Sequence, residues 1–67
     1  MDFRTDIINA TRNYYESEIE QHRINAEIIL NHPIANENQN IVELFKDEVS
    51  MIAEYESKLI ALKHYFK

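Results

Sequence analysis

Two residues in this chain place chemistry where none is expected. His22 and Glu48 each interrupt a row of otherwise apolar or aromatic residues that recurs every seven positions: Ile8, Tyr15, His22, Ile29 in the first half, and Ile41, Glu48, Tyr55, Leu62 in the second. An imidazole beside a carboxylate can hydrogen-bond it, exchange protons with it, or share a metal ion with it. Glu18 lies one helical turn before His22, and in a symmetric dimer two copies of His22 and Glu48 could converge. However, the Glu-x-x-His spacing of ferritin-like carboxylate centres is missing from both halves. The expectation is therefore a structural polar layer that fixes register, as a buried polar residue does in a coiled coil, with no metal and no cofactor. His32 falls in a turn. His64, with Lys63 and Lys67, suits the negative end of a helix. No nucleophile sits beside a base and there is no glycine loop, so no catalytic residue, no small-molecule substrate and no enzyme activity is expected.

The elements that position these residues follow from the same spacing. The spacing predicts a first helix over about 2–31, a turn over 32–36 and a second helix over about 37–66, in one domain spanning 1–67. Asp2 is the expected N-cap of the first helix. Pro33 disfavours helical geometry in the residue before it, which ends the helix near Asn31. Asn36, with Gln39 three residues on, is the expected capping box of the second helix. Folding the chain at Pro33 then brings Ile29 level with Ile41, His22 with Glu48, Tyr15 with Tyr55 and Ile8 with Leu62. One register aligns all four layers. The fold class is all-α, an antiparallel two-helix hairpin with coiled-coil character.

Each helix carries more apolar surface than one seam uses. Phe3, Ile7, Tyr14, Ile24 and Ile28 form a second stripe on the first helix, and Val42, Val49 and Ile60 widen the arc on the second. Soluble monomers avoid large exposed apolar patches. These eight residues are therefore the candidate interface, either for a homodimeric four-helix bundle or for a foreign partner protein. Composition points the same way. A core of this size rarely contributes more than about 3–5 kcal/mol, and the absence of cysteine removes disulfides as reinforcement. The net charge is −5, from 12 acidic against 7 basic residues. The basic residues look scattered, so no nucleic-acid partner is expected. No apolar run reaches the roughly 20 residues of a membrane span, and the first residues lack the blocks of a signal peptide. The expected location is cytoplasmic.

Some segments invite comparison with known families. The run Asn31-His32-Pro33-Ile34 through Asn40-Ile41, followed by Ile52-Ala53-Glu54-Tyr55-Glu56-Ser57-Lys58-Leu59, resembles small uncharacterised proteins of tailed phages that infect marine cyanobacteria, as does Ala10-Thr11-Arg12-Asn13-Tyr14-Tyr15. That resemblance implies a phage accessory or host-takeover protein acting in the infected cell, with a host or virion protein as partner. Ile41-Val42-Glu43-Leu44-Phe45, with Val49, Ala53-Glu54-Tyr55 and Leu59, resembles the second helix of cyanobacterial phycobilisome-degradation adaptors. That likeness implies an acidic, dimerising adaptor. Ile19-Glu20-Gln21-His22-Arg23 and Ile52-Ala53-Glu54-Tyr55 resemble the small aspartyl-phosphate phosphatases of sporulating bacteria, also helical hairpins. Their Ser-Gln-Glu-Leu-Asp motif would fall on Phe45-Lys46-Asp47-Glu48-Val49, which lacks its serine and final aspartate, so that activity does not carry over. Together these imply a non-catalytic interaction module, adaptor or inhibitor. The alternative is a structural or assembly protein whose partner is itself or a virion component.

Overall fold

The computed structural model describes residues 2–31 and 40–67. They form two helices, α1 over Phe3–Asn31 and α2 over Ile41–Tyr65, side by side in a rod measuring 52 × 18 × 14 Å. Both begin on a side-chain cap. Asp2 accepts from the Arg4 N–H, an orphan backbone donor of the first turn, and from the Thr5 hydroxyl, each at 3.2 Å. Asn40 has extended backbone angles, φ −79° and ψ 101°, and its side chain accepts from the Glu43 N–H at 3.3 Å.

The cap at Asn40 corrects the expected start of the second helix. α2 begins at Ile41 rather than near 37. Asparagine competes for backbone hydrogen bonds inside a helix and is favoured at its cap, and Ile41 directly after it is the first seam residue. The expected turn over 32–36, with His32, Pro33 and the Asn36–Gln39 capping box, lies outside the described residues.

The antiparallel register is the expected one. His22 Nδ1 lies 2.8 Å from Glu48 Oε1. The rings of Tyr15 and Tyr55 are 6.1 Å apart. Ile8 and Leu62 line the same cleft, and Ile29 and Ile41 are both half-buried. Along the seam Ile8, Tyr15, Ile19 and Ile29 of α1 meet Phe45, Ile52, Tyr55, Leu59 and Leu62 of α2, all half-buried. Among the described residues only Ala26, at 6% exposure, is buried. A methyl side chain there lets the two backbones approach, but two helices alone leave every larger seam residue partly in water.

Candidate functional site

The polar layer sits midway along the seam. Glu48 is held from both sides: His22 Nδ1 contacts Oε1 at 2.8 Å and the Asn25 amide donates to the same oxygen at 3.1 Å. An ionised carboxylate only accepts, so the imidazole Nδ1 carries the proton in this contact. The other ring nitrogen faces Glu18, at the longer distance of 3.7 Å. The His22 ring also stacks on Tyr55, with 6.1 Å between centroids and 17° between planes. Side-chain exposures of 18% and 22% for His22 and Glu48 make the pair shielded rather than dry. The hydrogen bond from His22, helped by Asn25, keeps the Glu48 carboxyl below the ordinary value of 4.5 against the opposing effect of burial. Above this layer, hydrogen bonding to Tyr55 and the Glu18 charge raise the Tyr14 phenol.

Glu18 and Glu48 approach opposite nitrogens of the same ring, so they do not converge on one point. Among the described residues no group of three histidine or acidic side chains is arranged to hold a metal ion. Sequence reasoning paired His22 with Glu48 but missed Asn25. The available signal was its position three residues after His22, facing the same seam.

The eight candidate interface residues, Phe3, Ile7, Tyr14, Ile24, Ile28, Val42, Val49 and Ile60, are all exposed. They do not form one patch. On a helix, the residue before a seam position and the residue after it flank the seam on opposite sides. Asn9 follows seam residue Ile8, Lys63 follows seam residue Leu62, and the two line a common cleft. Residues that follow the seam therefore share one face of the hairpin, and residues that precede it share the other. Val42 and Val49 follow the seam, and lie beside Glu16, Arg23 and Leu30 of α1. Ile7, Tyr14 and Ile28 precede it, and lie beside Asp47 and Glu54 of α2. Each face thus pairs an apolar row on one helix with a charged row on the other.

The basic residues are not scattered once the chain is folded. Arg23, Lys46 and Lys58 each pair with a carboxylate three or four residues away on their own helix. Arg4, Arg12, Lys63 and Lys67 have no carboxylate within ion-pair distance among the described residues, and all four line one cleft at the open end of the hairpin. Ile8, Leu62 and Phe66 supply its apolar wall. The signal was present in the sequence, because Arg4, Lys63 and Lys67 lack any acidic residue at helical pairing distance. What brings them together is the hairpin, since they come from opposite ends of the chain.

Comparison with protein families, with curated proteins and with solved structures finds no match for this chain. Among the described residues no helix is long and apolar enough to cross a membrane.

Proposed function

We propose that this chain is a non-catalytic protein–protein interaction module that pairs with a second copy of itself and binds another protein. The observation that carries the reading is the mismatch between core and surface. Among the described residues Ala26 alone is buried, whereas Phe3, Ile7, Tyr14, Ile28, Val42, Val49 and Ile60 lie in rows open to water. Burying apolar area yields about 25 cal/mol per Å², and a hairpin that leaves such rows exposed gains its missing stability from whatever covers them. The polar groups inside the seam are engaged with one another, which suits a register-setting layer better than a reactive centre. The likeness to small phage proteins and to phycobilisome-degradation adaptors makes a host protein the proposed partner, bound in the cytoplasm of an infected cell in an adaptor or inhibitor role.

Sedimentation equilibrium at micromolar concentration tests the self-pairing, with twice the 8.0 kDa chain mass as the expected result. A monomer across that range defeats it. A second reading, an assembly protein whose partner is itself or a virion component, draws on the apolar rows being on opposite faces. Contacts that join one face to the other do not close and can propagate. Mass that keeps growing beyond the dimer as concentration rises favours that reading.

A further inference from the structure

We infer that the cleft at the open end of the hairpin is the docking site for an acidic peptide segment of the partner, one that carries a large apolar side chain among its carboxylates. The inference rests on the reading of this chain as a protein-binding module and names the chemistry that the module recognises. Arg4 and Arg12 from α1 meet Lys63 and Lys67 from the other end of the chain around one opening of about 370 Å³, with no acidic side chain in its lining. Such a concentration of unpaired cations is anomalous in a chain of net charge −5. The acidic residues nearest to these cations in sequence, Asp2, Asp6 and Glu16, are all absent from its lining, and Asp2 caps the start of α1 through the Arg4 N–H and the Thr5 hydroxyl. The remaining three cations of the chain are already paired within their own helices. Like charges gathered without counter-charges raise the energy of the free protein, and an anionic ligand relieves that repulsion as it binds.

The wall of the cleft decides among anions. Ile8, Leu62 and Phe66 give it an apolar side that a bare phosphate or sulfate leaves uncovered. The volume lies in the range of pockets that take an organic group, about 300–1,000 Å³. The end of the rod is only 18 × 14 Å across, a small footprint for a lipid surface. Beyond it Glu16, Glu18, Glu20 and Glu54 line the shaft, so a nucleic-acid backbone running past the tip meets repulsion. A short acidic segment ends where the cations end, and its apolar side chain covers the wall.

Fluorescence anisotropy with a labelled peptide of aspartates and glutamates around one phenylalanine tests this on the full chain. Binding is expected at low salt and weakens as ionic strength rises. Arg12→Glu with Lys63→Glu weakens it by roughly tenfold or more, while Lys46→Glu, outside the cleft, changes it by less than about twofold. Circular dichroism of each variant verifies that the helices persist. If Arg12→Glu with Lys63→Glu lowers helicity, Arg12→Gln with Lys63→Gln is used instead and is expected to weaken binding in the same direction. The inference is overturned if well-folded cleft variants bind like the parent or if a lysine-rich counterpart peptide binds equally. It is also overturned if inorganic phosphate competes as well as the peptide, or if phosphatidylglycerol vesicles capture the chain and the peptide does not. Sedimentation of the same samples separates the two readings: a dimer that ignores the peptide removes the cleft alone, and a monomer that binds it supports the cleft while removing self-pairing.

Discussion

At the scale of single residues, Glu48 is held by two side chains of the facing helix, His22 and Asn25. It is an acid placed on an apolar seam, and it stays ionised because His22 and Asn25 both direct donors at it. Removing one donor from a shielded carboxylate costs more than removing both polar groups together. His22→Leu is therefore expected to destabilise the hairpin by about 1–2 kcal/mol, allowing for partial exposure. His22→Leu with Glu48→Leu should recover most of that loss, which thermal melts of the three proteins will measure. The pH dependence has a definite sign. Because the folded-state pKa of Glu48 is depressed, its contribution is present above the ordinary carboxyl value of 4.5 and is lost as pH falls through the lower folded value. The melting-temperature gap between the parent and Glu48→Gln should be open at neutral pH and close progressively in acid. A gap that stays constant down to acid pH would show that the carboxylate charge contributes nothing. Chelator should leave the melting temperature of the parent unchanged.

The two helices are held at their ends by caps and along their length by a seam, and these differ in how visible they are in the sequence. Asn40→Ala removes the acceptor for the Glu43 N–H and should cost about 1 kcal/mol, with Asn40→Asp retaining most of the stability. If Asn40→Ala melts like the parent, the helix does not begin there. The sequence contains Asn36, Asn38 and Asn40 in succession, three residues of equal capping strength, and propensity alone cannot choose among them. The seam was legible because seven-residue spacing on both sides of Pro33 left a single register that put His22 opposite Glu48 and Tyr15 opposite Tyr55. The cationic cleft was not legible from local spacing. Arg4 and Lys67 are neighbours only through the antiparallel fold, whereas periodicity compares residues within one helix. The division of the apolar surplus between two faces was hidden for a related reason. A stripe read on each helix separately carries no statement of which side of the pair it takes.

For the molecule as a whole, the opposed faces separate two kinds of contact that a single exposed patch would confuse. The face with Val42 and Val49 continues the half-buried row Phe45, Ile52 and Leu59, and its α1 row places Glu16 and Arg23 on either side of Ile19. If the proposed dimer forms through this face, a two-fold axis near Ile19 sets Glu16 of one copy against Arg23 of the other, twice. On the opposite face the same operation sets Asp47 of one copy against Glu54 of the other, a like-charge contact. Val49→Lys is therefore expected to shift sedimentation to the monomer while Tyr14→Lys leaves the dimer in place; the reverse pattern would assign self-pairing to the other face. The clustered cations at the open end have a further effect. Arg4, Arg12, Lys63 and Lys67 outnumber Asp2 and Asp6 at one tip, while Glu18, Glu20, Glu27, Glu43, Asp47 and Glu48 outnumber Arg23 and Lys46 from the middle of the seam towards the other end of a 52 Å rod. The molecule is therefore a long electric dipole. In the field of an acidic partner it experiences a torque before any contact forms, turning the positive tip forward. Orientation during diffusion, and with it the encounter rate, is then set by ionic strength over distances of about a Debye length, roughly 8 Å at physiological salt.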